Sequence, residues 1–127
     1  MSRAVLDASA VLAVANAEPG ADHVTRRSQR GVMSAVNVAE VFAKLLLRGV
    51  PAADISLGIG SLVTDVVPFD QDQAEAAAAL HARTRALGLS LADTACLSLG
   101  ARLGLPVVTT DRDWKKVEGV GPVEVIR

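Results

Sequence analysis

Aromatic side chains are almost missing from this chain. It has no Tyr, and its 127 residues include only Phe42, Phe69 and Trp114. Stacking of nucleic-acid bases on aromatic platforms is therefore excluded as a main binding device. Cysteine is reduced to Cys96. No disulfide forms within the chain, which suits a reducing compartment. Charge of one sign is not in excess either: the net charge is −1 and the pI about 6.1. A broadly basic nucleic-acid clamp is excluded. The local clusters Arg26, Arg27, Arg30 and Arg112, Lys115, Lys116 read as solvated helix faces. No apolar run reaches the length of a membrane span. The first residues imitate a signal peptide, with Arg3, an apolar stretch and Ala15-Asn16-Ala17. Asp7 interrupts that stretch, so no cleavage is expected, and a cytoplasmic location follows. Cys–His clusters and H-E-x-x-H are absent, and His23 and His81 stand alone, so a zinc site has no ligands. Cys96, in an apolar stretch, reads as packed rather than reactive.

What is present is small and apolar. Half of the residues are apolar, and without aromatics the core must be Ala, Val and Leu. One domain spanning 1–127 is expected, burying roughly two-thirds of its unfolded surface. The mean hydropathy of +0.35 is high for a soluble monomer. Some apolar surface is expected to be covered by a partner or by a second copy.

Short β runs alternate with helical segments. Strands are predicted at Arg3–Leu6, Gly31–Met33, Asp65–Phe69, Pro106–Thr109 and Val123–Ile126, the third near an edge because of Pro68. Helices are predicted at Ala8–Ala17, Ala21–Arg30, Ser34 to about Arg48, Ala52–Val63, Asp70–Leu87, Ser90 to about Gly104 and Asp111–Val117. Asp70 reads as an N-cap with Gln73 completing a capping box, and Gly88 as the C′ residue. The alternation implies a parallel sheet with helices on both faces, with ligands bound beyond the carboxyl ends of strands.

Four isolated acids then stand out. Asp7, Glu40, Asp93 and Asp111 each lie beside apolar or β-branched runs, near a strand end or on the helix after it. Singly, each has an ordinary explanation. Asp7 and Asp111 fit N-caps, Ser90-Leu-Ala-Asp93 fits a capping box, and Glu40 could pair with Lys44 at i, i+4. Jointly they suggest more, because Glu40 is too deep in its helix to cap it and Asp93 sits in a helix apolar nearly all round. Four carboxylates in one crevice repel unless neutralised. Such hard oxygen ligands select Mg²⁺ or Mn²⁺, and the chemistry they suggest is phosphodiester hydrolysis.

At these residues the chain resembles the PIN-domain ribonucleases, specifically the toxin half of VapBC toxin–antitoxin pairs. The segments that carry the resemblance are VLDASAVLAV at 5–14, SAVNVAEVFAKL at 34–45, VVPFD at 66–70, GLSLADTACLSLGARLGLPVVTTDRDW at 88–114 and VEVIR at 123–127. The resemblance implies a PIN-like three-layer α/β sandwich, homodimers, and metal-dependent endoribonuclease activity. It matches the family's acids to Asp7, Glu40, Asp93 and Asp111. It implies that one or two Mg²⁺ (or Mn²⁺) ions bind Asp7, Asp93 and Asp111, with Glu40 bound directly or through water. Ser9 and Thr110 match its supporting hydroxyls, and Asp113 is placed to assist or replace Asp111. The family often has Arg after the third acid, where this chain has Thr94. The resemblance further implies an RNA substrate and a VapB-type antitoxin covering the acidic pocket. The helices at Ala8–Ala17 and Val36–Leu47 are candidates for the antitoxin's groove.

Three other readings compete. A phosphoacceptor receiver domain also gathers acids at strand ends, but it wants a Lys after a late strand, and none follows Thr109. A haloacid-dehalogenase-like phosphatase wants D-x-D where this chain has Asp7-Ala-Ser9. A non-catalytic interaction domain would use all four acids as helix caps.

Overall fold

The computed structural model describes residues 3–27 and 30–127. Five parallel strands form one sheet: β1 (Ala4–Leu6), β2 (Gly31–Ser34), β3 (Val63–Val67), β4 (Val107–Thr109) and β5 (Val123–Val125), in the order β3-β2-β1-β4-β5. Six α-helices connect and cover them: α1 (Ala8–Ala15), α2 (Ala21–Thr25), α3 (Ala35–Leu47), α4 (Ala52–Leu62), α5 (Gln71–Arg83) and α6 (Leu91–Leu103). Single 3₁₀ turns follow at Arg85–Leu87 and Arg112–Lys116. Among the described residues no helix is long and apolar enough to cross a membrane.

The central strands β1, β2 and β4 are buried at every position because both faces of the sheet are covered. Side chains alternate between the two faces. Ala4, Leu6, Met33 and Val108 pack with α1 to α4, in a cluster that includes Val11, Val24, Val41, Leu45, Ile55 and Ile59. Val5, Val32 and Val107 pack against Leu80, Cys96, Leu97, Leu99 and Trp114 on the other face. The result is a helix–sheet–helix sandwich whose core is Ala, Val and Leu with one buried Trp, as the composition requires.

The strand order separates two of the sequence readings. A receiver domain has the order 2-1-3-4-5. Here the chain walks from β1 to β3 in one direction and then returns to place β4 on the other side of β1. The switch point therefore lies between β1 and β4, whose carboxyl ends lead to Asp7 and Asp111.

Several boundaries differ from the sequence expectation. The third strand is Val63–Val67, not Asp65–Phe69. Helix α4 runs straight into it, and Val63 already has extended dihedrals (φ −120°, ψ 127°). It is an edge strand, and Pro68 lies just beyond it. The fifth helix stops at Arg83, where the buried Thr84 hydroxyl donates to Leu80 O (2.8 Å), and Gly88 follows the 3₁₀ turn in the left-handed region. Asp70 caps α5, but Gln73 does not complete the box, because its Nε2 donates to Pro68 O (3.0 Å) instead. Helix α2 ends at Thr25 rather than Arg30, and positions 28–29 of that expected helix lie outside the described residues.

Candidate active site

The chain places all four acids around one cavity of about 190 Å³, lined by Asp7, Ala8, Ser9, Glu40, Lys44, Asp93, Thr110, Asp111 and Trp114. Each acid arrives on a different element. Asp7 is the residue between β1 and α1. Glu40 lies in the second turn of α3, Asp93 is the third residue of α6, and Asp111 follows β4.

Asp7 is buried, and its geometry is the most constrained. Although it occupies the N-cap position of α1, its side chain makes no capping bond. Its Oδ2 instead accepts from the Ser9 hydroxyl (2.7 Å) and from the Thr109 hydroxyl (3.0 Å). Ser9 Oγ in turn accepts from Thr110 N (3.0 Å), and Thr109 Oγ1 accepts from Asp111 N (3.1 Å). This network ties the end of β1 to the end of β4 across the switch point. Burial pushes the Asp7 carboxyl up to about 6, against the lowering effect of its two hydroxyl donors. The charges of Asp93 and Glu40 push it in the same direction as burial. The same carboxylates, Asp7 included, also raise the thiol of buried Cys96, after the larger effect of burial itself. Cys96 is thus a packed, protonated side chain beneath the site.

The remaining acids are also anchored. Ser90 and Asp93 form the capping box: Ser90 N donates to Asp93 Oδ2 (2.9 Å) and Asp93 N to Ser90 Oγ (3.1 Å). Asp111 caps its 3₁₀ turn, with Oδ1 accepting from Asp113 N (2.9 Å). Glu40 Oε1 accepts from Asn37 Nδ2 (2.9 Å), which also donates to Ala92 O (3.2 Å). Asn37 is fully buried and so fixes Glu40 against the start of α6. Each acid therefore has one oxygen held by the protein. Among the described residues, the second oxygens, Asp7 Oδ1, Glu40 Oε2, Asp93 Oδ1 and Asp111 Oδ2, accept no hydrogen bond from the protein.

The structure does not bring Asp113 into the lining. It is exposed and pairs with Lys116 (2.9 Å). The Glu40–Lys44 ion pair, the ordinary alternative for Glu40, is not formed among the described residues, although both residues line the cavity. Sequence reasoning chose Thr110 as the supporting hydroxyl. Thr110 lines the cavity, yet the hydroxyl that reaches Asp7 is that of Thr109. Thr109 is the last residue of β4 and Thr110 lies beyond it. Asn37 was missed altogether, because a polar residue in the first turn of a helix reads as ordinary.

Could these residues hold a metal? Among the described residues no three His, Cys, Asp or Glu side chains stand close enough to make a ready cage. Mg²⁺ does not require one: it keeps several waters and is commonly held by one or two carboxylates together with substrate phosphate. Four carboxylates, each with a second oxygen not held by the protein, fit a hydrated divalent cation of this kind. A larger hollow of about 370 Å³ lies elsewhere, between α1, α3 and α4, lined by Val11, Val14, Val41, Leu45, Ile55 and Ile59 among others. It is apolar, with Asp54 and Arg48 as its charged groups. The four acids line only the smaller cavity of the two.

In this parallel α/β sandwich the four acids gather beside the switch point of the sheet, where open α/β folds bind their ligands. The PIN domain family model matches residues 4–120, and the chain belongs to this family, whose members are in general nucleases. No curated protein matches the sequence. Among solved structures the chain is similar to one from a toxin–antitoxin complex of Klebsiella pneumoniae, with 18% identity, 98% of each chain covered and a TM-score of 0.74. It is similar to one in DNA-bound VapBC from Salmonella typhimurium, with 17% identity, 100% of each chain covered and a TM-score of 0.73. It is similar also to Mycobacterium tuberculosis VapC20, a sarcin-ricin loop cleaving toxin, with 18% identity, 93% of this chain and 98% of that one covered, and a TM-score of 0.69. At these identities the likeness is one of fold.

Proposed function

We propose that this protein is a Mg²⁺- or Mn²⁺-dependent endoribonuclease and the toxin of a VapBC-type pair. The observation that carries this reading is the convergence of four carboxylates from four elements on one cavity, each tethered by one oxygen and leaving the other unheld. Asp7, Asp93 and Asp111 would hold the ion, with Glu40 bound directly or through water. Bound there, a divalent ion supplies charge stabilisation at the scissile phosphate and a water acidified enough to act as nucleophile. The chain's own residues do the rest. Ser9 and Thr109 hold Asp7 in one orientation, Asn37 fixes Glu40, and the Ser90 cap fixes Asp93. The polar network between β1 and β4 keeps the acids rigid while charge builds on the phosphate. With so few aromatics, RNA is held through its backbone and selected by shape.

The apolar hollow between α1, α3 and α4 suits an apolar segment of a VapB-type antitoxin; α1 and α3 are the two groove candidates of the sequence, and α4 adds a third wall. A basic residue of such a partner would meet the acidic cavity. Exposed Leu46, Leu47 and Leu57 are consistent with a homodimer.

The test is cleavage of a mixed pool of structured RNAs by purified protein, with Mg²⁺ or Mn²⁺ and with EDTA, beside Asp93→Asn. The expected result is metal-dependent cutting that the variant loses. Full cleavage in excess EDTA would sink the mechanism.

A further inference from the structure

We propose that Lys44 is the substrate's phosphate anchor, a binding residue that lets an acidic cavity accept a polyanion. This rests on the nuclease reading of the same site. Lys44 lies one turn beyond Glu40 on α3 and lines the cavity, the only basic residue to do so among the described residues. An i, i+4 Glu–Lys pair normally closes on itself. Here no ion pair or hydrogen bond engages Lys44 among the described residues, while Glu40 is held instead by Asn37. Of the three cations in the 3₁₀ turn after Asp111, Lys116 pairs with Asp113 and Arg112 Nε donates to Arg127 O (3.2 Å), while Lys115 is exposed and does not line the cavity. The exposed ammonium of Lys44 is thus left for an anion from outside the protein.

Charge explains why one lysine matters. With four carboxylates and Lys44, the lining carries a formal charge of −3 when all are ionised. One divalent ion leaves it negative, so a phosphodiester backbone still meets repulsion. A cation at the rim gives the adjoining phosphate an opposite charge without displacing a carboxylate. A contact of that kind carries no sequence information and shows in the salt dependence of binding.

The experiment measures binding of a labelled RNA stem–loop and of a single-stranded RNA to Asp93→Asn protein over a series of salt concentrations. It is repeated with Lys44→Ala and Lys44→Arg added, and Mn²⁺ is titrated by calorimetry without RNA into the wild type and into the single variants Lys44→Ala and Lys44→Arg, which keep Asp93. Lys44→Ala is expected to weaken both RNAs about fivefold and to flatten the log–log salt slope by about 0.7 to 1. Lys44→Arg is expected to retain affinity and slope. Mn²⁺ affinity is expected to be equal or higher without the lysine, since a like charge is removed. Unchanged RNA affinity and slope in Lys44→Ala overturns the proposal. Weaker Mn²⁺ binding in Lys44→Ala also overturns it, by making the residue an organiser of the acids. If the lysine-intact protein binds neither RNA and the wild type cuts none, the nuclease reading fails and this proposal with it. If the wild type binds and cuts RNA while Lys44→Ala behaves identically, only the lysine assignment fails.

Discussion

A carboxylate has two oxygens, and at Asp93 and Asp111 one of them caps a helical turn while the side chain still lines the cavity. Cap and site, which the sequence sets against each other, coexist in the same side chain. Substitution should separate them. Asp93→Asn keeps an acceptor for Ser90 N, so the melting temperature should change little while cleavage is lost. Asp93→Ala removes the acceptor of Ser90 N, the reciprocal half of the capping box, while Ser90 Oγ still accepts from the backbone N of residue 93, and should cost about 1 kcal/mol of stability. Thermal melts of both variants beside a cleavage assay check this, and equal destabilisation by the two would argue against the separation. Asp7 makes the opposite prediction. Its carboxyl is raised from 3.8 to about 6, chiefly by burial. The native state therefore holds its proton more tightly than the unfolded chain, and stability falls as pH rises between those values. Above pH 6 the full penalty is present, of order 3 kcal/mol for about two pKa steps. Asp7→Asn, which keeps an acceptor for Ser9 and Thr109, should raise the melting temperature by several degrees in metal-free neutral buffer. Below about pH 4 it should change little. A clear loss at neutral pH would mark Asp7 as structural. The four acids were legible in the sequence from their isolation among apolar neighbours. Thr109 and Asn37 were not, since a hydroxyl or an amide has no such signature until its partners are placed.

At the scale of elements, the site depends on how closely α6 lies on the sheet. Gly100, buried in the last turn of α6, faces Val107 of β4, and a Cβ there would overlap Val107 Cγ2 and crowd Leu105 O. Gly100→Ala should therefore destabilise the fold by about 1–3 kcal/mol, despite the better helix propensity of Ala. It should also weaken metal binding, because α6 carries Asp93 and β4 leads to Asp111. Denaturant titration and calorimetry check the two effects, and a stabilised variant would show that α6 can lift without cost. Element types were readable because the strands are short runs rich in Val and other apolar residues, and each helix has a cap or a stop. The ends were less so. The α4–β3 junction has no Gly or Pro to mark it, so Val63 reads as helical although it begins the strand. The stop after Arg83 is set by a side-chain bond from Thr84 to the preceding turn, which competes with helix continuation only once Thr84 is buried.

For the whole molecule, metal, proton and fold are linked through the same cavity. An ion that binds the native state alone stabilises it, by about 2.7 kcal/mol at a hundred times its dissociation constant. It binds carboxylates in their ionised form, so protons compete with it. Asp7, the buried acid at the centre of the hydroxyl network, takes up its proton near pH 6. The rise in melting temperature produced by Mn²⁺ should therefore be large above pH 6 and shrink as pH falls through it. The Asp7→Asn variant, which cannot titrate there, should show a smaller rise with a weaker pH dependence. The order of stability inverts as a result: without metal the variant is the more stable protein at neutral pH, and with saturating Mn²⁺ the wild type is. Melting curves of both proteins, with Mn²⁺ and with EDTA on either side of pH 6, give the answer. An Mn²⁺ effect absent at every pH would leave the four acids as caps and linkers of a folded domain, because hydrated-ion binding by their unheld oxygens must appear as stability when those oxygens are charged.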